Sequence, residues 1–246
     1  MLMQPTIEKL KALKLYGMAE AFQSLNENTH SETLSFDERL GIIVDREIIL
    51  RNGHRQIRLL KAANLRFPEA CVEDIDYQHP RKLEKSQMVA LTQCNWIRRR
   101  QNLVFIGPTG IGKTYLVCAL GQRACRDGLS VRYLRMAKLF ELLRASQAIG
   151  KYAYFMTKLS KVDLLILDDW ALGELNNTER LDLLEIFENR HGLRSTALTT
   201  QVPVDLWHEY IGDATIADAI LDRLLSGAHK MDLDGDSLRD KYKNSV

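Results

Sequence analysis

The run Leu103-Val104-Phe105-Ile106-Gly107-Pro108-Thr109-Gly110-Ile111-Gly112-Lys113-Thr114-Tyr115-Leu116-Val117-Cys118-Ala119-Leu120 decides the fold. Four apolar residues read as a buried strand. The octet Gly107 to Thr114 is a complete G-x-x-x-x-G-K-T phosphate loop, and a helix-compatible segment follows it. Glycines let the backbone curl so that successive N–H groups, and the positive end of the next helix, face an anion. Lys113 is then expected to reach the β- and γ-phosphates, and the Thr114 hydroxyl to ligate Mg²⁺. At average glycine usage such a pattern arises by chance in a chain of this length with probability roughly 0.01. The stretch predicts a protein that binds a nucleoside triphosphate with Mg²⁺.

Downstream, strands and helices alternate. Leu164-Leu165-Ile166-Leu167-Asp168-Asp169 is an apolar strand ending in two carboxylates, placed as a Walker B element should be. Asp168 is expected to hold Mg²⁺ and Asp169 to polarise the attacking water. Strands are also predicted at Val131–Leu134, Thr196–Thr200 and Ala228–Leu233. Helices are predicted after the loop to about Asp127, over Met136–Lys158, and from about Thr178 to His191. Long helices between short strands imply a parallel sheet covered on both faces.

The first hundred residues read as helices. Thr6 is the expected cap of a helix carrying Ile7, Leu10, Leu13, Met18, Phe22 and Leu25, with Gly17 as its weak point. Ser35-Phe36-Asp37-Glu38 has the form of a capping box, followed by an apolar face of Leu40, Ile43, Val44 and Ile48. Between Arg46 and Arg66 stand six basic residues (Arg46, Arg51, Arg55, Arg58, Lys61, Arg66) against one acid, Glu47, although the whole chain carries only +2. Arg51, Arg55 and Arg58 fall at i, i+4 and i+7, one helical stripe of the side chain best suited to phosphate. A solvated helix face is the alternative for that stripe, and Asn52-Gly53 within it is also a turn signal. Phe67-Pro68 is expected to end the helix.

At 246 residues, 46% hydrophobic and 27% charged, the chain fits one sizeable α/β core plus a smaller helical unit. Nothing in it reads as a membrane span or signal peptide, and Cys71, Cys94, Cys118 and Cys125 lack disulfide or zinc spacing, so a reduced cytoplasm is expected.

The Asp168-Asp169 doublet resembles that of the AAA+ ATPases of the IstB and DnaC-type clade, and other residues agree. Thr199-Thr200-Gln201-Val202-Pro203 lies where that clade carries a polar sensor, with Gln201 in the place often filled by Asn. Trp207-His208-Glu209 and Ile216-Ala217-Asp218-Ala219-Ile220-Leu221-Asp222-Arg223-Leu224 look like the IstB signature in particular. The resemblance covers nearly the whole chain and is most specific in the ATPase half. It implies a helical DNA- or partner-binding domain over residues 1–78 and an AAA+ ATPase domain over residues 79–246. Only about a dozen residues follow Leu233, so a reduced lid is expected, given ~10–14 residues per helix.

By the same resemblance Gln201 belongs to the catalytic set and Arg223 is an arginine finger reaching a neighbouring subunit's γ-phosphate. Arg239, in Gly235-Asp236-Ser237-Leu238-Arg239, becomes a second sensor of nucleotide. Arg144, Lys151 and Lys158 sit where the clade turns cations toward nucleic acid. The family's activity implies an ATPase that oligomerises on duplex DNA and helps a partner transposase of the same insertion sequence. A replicative helicase loader is the near alternative, and a small-molecule P-loop kinase the distant one.

Overall fold

A computed structural model describes residues 3–27 and 33–238. They form two compact units that part between Arg58 and Leu59.

In the first unit, α1 (Met3–Ala12) and α2 (Tyr16–Glu27) take the place of the single helix expected there. Thr6 lies inside α1 rather than capping it, and Lys14, at φ 60°, turns the chain between the two helices. Gly17 is a packing requirement rather than a weak point: a Cβ there would meet Arg46 O and Glu47 Cα at 2.8 Å. The Glu47 carboxylate accepts from Gly17 N (2.7 Å) and Met18 N (3.1 Å), capping the positive end of α2. Helix α3 (Phe36–Ala63) opens with the expected capping box, in which Glu38 N donates to Ser35 Oγ and Ser35 N donates to Glu38 Oε2. It continues through Asn52-Gly53 without a break. Leu40, Val44 and Ile48 remain exposed, so the expected apolar face is only partly covered. The helix stops at Ala63 because Asn64 adopts φ 51°, four residues before Pro68.

The second unit is a three-layer α/β structure. Its parallel sheet has the order β2-β3-β4-β1-β5. The strands are β1 (Leu103–Ile106), β2 (Val131–Arg135), β3 (Leu164–Trp170), β4 (Ser195–Thr200) and β5 (His229–Asp232). Side chains alternate across the sheet. Leu103, Phe105, Leu164 and Ile166 face one layer, with α4 (Lys85–Thr92), α5 (Asn95–Arg98) and α6 (Lys113–Arg126). Val104, Leu165 and Leu167 face the other, which holds α7 (Met136–Ala148), α8 (Tyr152–Lys161), α9 (Asn177–Arg190), α10 (Trp207–Ile211) and α11 (Ala214–Leu225). Burial on both faces is why these strands read as unbroken apolar runs.

Local features of this unit have physical causes. The helical region over Met136–Lys158 divides into α7 and α8 at Gly150, which has φ 66°. Asn176 caps α9 through a capping box with Glu179. The compact units part twenty residues before the expected boundary at residue 78, because Ala63, Leu65, Ala70 and Ile75 are buried in the core beside α6.

Candidate functional site

The carboxyl ends of β1, β3 and β4 lie side by side, which is where open parallel sheets hold ligands. The loop Gly107–Thr114 leaves β1 and turns into α6 at Gly112, whose φ of 97° suits glycine. Gly107 N donates to Thr200 O (3.2 Å), and Ile111 anchors the loop with a fully buried side chain. The Lys113 ammonium lies inside the loop, donating to Gly107 O (2.6 Å) and Pro108 O (2.8 Å). Thr109 Oγ1 donates to Gln201 Oε1 (2.5 Å), so the residue after β4 is tied directly to the loop.

At the end of β3, Asp168 is wholly buried. Thr114 Oγ1 lies 2.9 Å and 3.2 Å from its two carboxylate oxygens, Tyr133 OH donates to Oδ2 (2.6 Å), and Thr199 Oγ1 donates to Oδ1. Burial, then Asp168 itself, pushes the Tyr133 phenol well above its ordinary value near 10. These hydroxyls satisfy a carboxylate that would otherwise be very costly to bury. The pairing of β3 with β4 slips between Leu167 and Trp170, and Asp169 takes φ 64°. That kink separates the two carboxylates. Asp169 turns outward, where Arg135 grips it through Nε and Nη2, each at 3.0 Å.

A cavity of about 520 Å³ gathers Thr109, Gly110, Gly112, Lys113, Thr114, Asp169 and Gln201 on one wall and Arg66, Phe67, Asp74, Asp76 and Arg81 on another. Arg81 was not singled out by the sequence, and its guanidinium is almost fully buried. It donates to Ile111 O (3.0 Å) and Asp76 O (2.7 Å), bracing the loop from outside. The segment after β5 braces it from the other side, with Leu238 N donating to Gly110 O (3.0 Å) and Asp234 N to Arg81 O (3.2 Å). A lone Arg thirty residues upstream carries no sequence signal for this role.

The remaining expected residues lie elsewhere. Arg223, near the end of α11, is fixed at the opposite end of β1 from the loop: Asn102, just before β1, donates to Arg223 O (3.0 Å) and Leu224 O (3.1 Å). Its guanidinium pairs with Glu188 and donates to Ala219 O. Arg51, Arg55 and Arg58 are exposed on α3, and Arg51 pairs with Glu47 at 2.6 Å. Arg144 is exposed on α7 and paired with Glu179 at 3.0 Å. Exposed Lys151 precedes α8, and exposed Lys158 lies 4.4 Å over the Tyr154 ring. Arg239 lies outside the described residues. Among the described residues no helix is long and apolar enough to cross a membrane.

Comparison with known proteins agrees with this geometry. The chain is 48% identical over 239 residues to "Putative insertion sequence ATP-binding protein y4pL" of Sinorhizobium fredii, covering 97% of each. It is 46% identical over 203 residues to "Insertion sequence IS1162 putative ATP-binding protein" of Pseudomonas fluorescens, covering 82% of this chain and 88% of that one. In fold it is similar to the DnaC helicase loader, with a TM-score of 0.55 at 18% identity, over 68% of this chain and 98% of the other. The family model described as IstB-like ATP binding protein matches residues 8–246, and this chain belongs to that family.

Proposed function

We propose that this protein is a Mg²⁺-dependent ATPase that assembles on duplex DNA as a homo-oligomer and helps the transposase of its insertion sequence engage target DNA. The observation that carries the ATPase reading is that Thr114, which lines the cavity with Lys113, sets its Oγ1 against the buried Asp168 carboxylate. One hydroxyl and one carboxylate, completed by phosphate oxygens and water, is a donor set that suits Mg²⁺. Thr114 and Asp168 would hold that ion, which supplies charge neutralisation at the β- and γ-phosphates.

The other roles fall to side chains near the triphosphate. The Lys113 ammonium exchanges its loop carbonyls for phosphate oxygens, and the amides of Gly107 to Thr114 face the same anion. Gln201, already bonded to Thr109, orients groups at the γ-phosphate. Asp169 orients and polarises the attacking water once it is free of Arg135. Arg223 lies too far from its own loop to act in cis: β1 alone spans four residues, ~13 Å at strand rise. This separation supports a finger working across a subunit boundary. Arg239 completes the nucleotide site as a second sensor.

For DNA, the exposed cations of α3, Arg51, Arg55 and Arg58, are the first candidates, joined by Arg144, Lys151 and Lys158. Contact through phosphates carries little sequence preference. The names of the relatives favour the transposition reading over helicase loading.

The test compares two variants. Lys113→Ala should abolish ATP binding and ATP-dependent assembly on duplex DNA. Asp169→Asn should keep ATP binding, slow phosphate release, and prolong the DNA complexes. If Lys113→Ala still assembles with ATP, the assigned site is wrong.

A further inference from the structure

The proposed ATPase chemistry accounts for Lys113, Thr114, Asp169 and Gln201 in the cavity, but not for Arg66. This residue follows the end of α3 and stands in a stretch held firmly on α6. Leu65 is buried, with its Cδ2 3.1 Å from where a Cβ on Gly121 would lie. The backbone N–H groups of Arg66 and Phe67 face the Cys118 sulfur. The Phe67 ring packs on the Tyr115 ring with centroids 6.3 Å apart, and the Arg66 guanidinium lies 5.7 Å over the Phe67 ring. A guanidinium stacked on an aromatic face loses little freedom when it binds an anion.

Its polar environment is unlike that of the neighbouring cations. Arg81 already donates to two backbone carbonyls, and Lys113 to two more. Arg66 lines the same cavity, and its one ion pair among the described residues is a loose approach of Nη1 to Asp168 Oδ2 at 3.9 Å. That distance is too long for a hydrogen bond. Asp168 does not need it, since the hydroxyls of Thr114, Tyr133 and Thr199 already occupy both carboxylate oxygens. A guanidinium has five donors in a planar fork suited to phosphate. Among the described residues those of Arg66 meet no closer acceptor than Asp168, and Arg66 lines the cavity beside the carboxylate where the terminal phosphates would be neutralised.

We infer that Arg66 is a phosphate-contacting residue, supplied in cis, that donates to the terminal phosphates of the bound nucleotide. The inference rests on the ATP reading of the cavity. It adds to the loop lysine a further cation from the same chain, on the Asp168 side of the triphosphate. With the Asp168 charge taken up by a bound cation, the best acceptors within reach of Arg66 are phosphate oxygens. The contact should favour the triphosphate over the diphosphate, because the diphosphate lacks the oxygens nearest Asp168.

The experiment measures affinity, not turnover. The probes are N-methylanthraniloyl-ATP and N-methylanthraniloyl-ADP with Mg²⁺, titrated against the full chain and its Lys113→Ala, Arg66→Ala, Arg66→Gln and Arg66→Lys variants. Thermal melting first confirms that each variant is folded; Arg66→Gln keeps a long polar stem over Phe67 if Arg66→Ala does not fold. The expected result is that Arg66→Gln weakens the ATP probe about tenfold, as for one charge-assisted hydrogen bond, and the ADP probe much less. Arg66→Lys should recover part of the loss. Parent-like affinity of Arg66→Gln for both probes overturns the inference, and so does an equal loss for both that Arg66→Lys leaves unrepaired. Failure of the parent to bind either probe, or binding indifferent to Lys113→Ala, refutes the ATP reading itself.

Discussion

Replacing Tyr133 by Phe removes one oxygen from the centre of the site and leaves the ring in place. Tyr133 is buried, and its hydroxyl donates at 2.6 Å to Asp168, a carboxylate with no exposure. A hydrogen bond to a buried charge contributes about 1.5–3 kcal/mol. In a unit of this size each kcal/mol shifts the melting point by roughly 2–4 °C, so Tyr133→Phe should melt about 3–12 °C lower at neutral pH. The pH dependence gives a second reading. Burial, helped by Asp168, raises the phenol's folded-state pKa above its ordinary value near 10. A group raised in the folded state contributes stability that is present below the unfolded pKa and lost as pH climbs from there toward the folded pKa. The parent should therefore lose stability above about pH 10, and the gap between parent and variant should narrow there. Tyr152 and Tyr210 are raised as well, Tyr210 to about 12, so the variant keeps part of the alkaline loss. The assay is circular dichroism melting from neutral pH to pH 11. A variant that melts with the parent at pH 7, or a gap that widens above pH 10, refutes the proposed Tyr133–Asp168 bond.

Three other outcomes are expected. Arg223→Ala should leave ATP binding by separate subunits nearly intact and cut hydrolysis by ~10³-fold or more; mixing it with Lys113→Ala should restore part of the activity, and mixed oligomers without recovery would argue against a finger acting in trans. Replacing Arg51, Arg55 and Arg58 together by Gln should weaken binding to unrelated duplexes alike and lower the slope of log affinity against log salt by about 0.9 per lost contact, whereas an unchanged slope would make the stripe ordinary surface. Burial pushes the thiols of Cys94 and Cys118 up to about 11 and that of Cys125 to about 12, so iodoacetamide at pH 7.5 should modify half-exposed Cys71 first and the others only on unfolding.

What could be read from the sequence was local. The phosphate loop, the apolar strand before Asp168 and the five strands all show as short patterns, because strand burial and loop curvature act over a few neighbouring residues. The AAA+ fold followed from them together with the family resemblance. Helix ends were less legible. Lys14 ends a helix by taking a left-handed conformation that its residue type does not announce, whereas Asn64 is a residue type suited to that position. Arg81, Arg135 and Tyr133 were missed because each acts on a residue about thirty positions away: Arg81 on Ile111, Arg135 on Asp169, Tyr133 on Asp168. The sheet brings β2 beside β3, and only that pairing makes Arg135 and Tyr133 neighbours of the two carboxylates.

The placement of β5 bears on how the protein is made. It follows every other strand in the chain, yet it lies against β1, the strand that carries the phosphate loop. The segment just beyond it sets Leu238 against Gly110. A nascent chain leaving the ribosome therefore presents β1 with an open edge until β5 has been translated. Chains cut short before His229 lack both the partner for that edge and the brace on the loop, so such a truncation should disable the nucleotide site even though the G-x-x-x-x-G-K-T octet is intact.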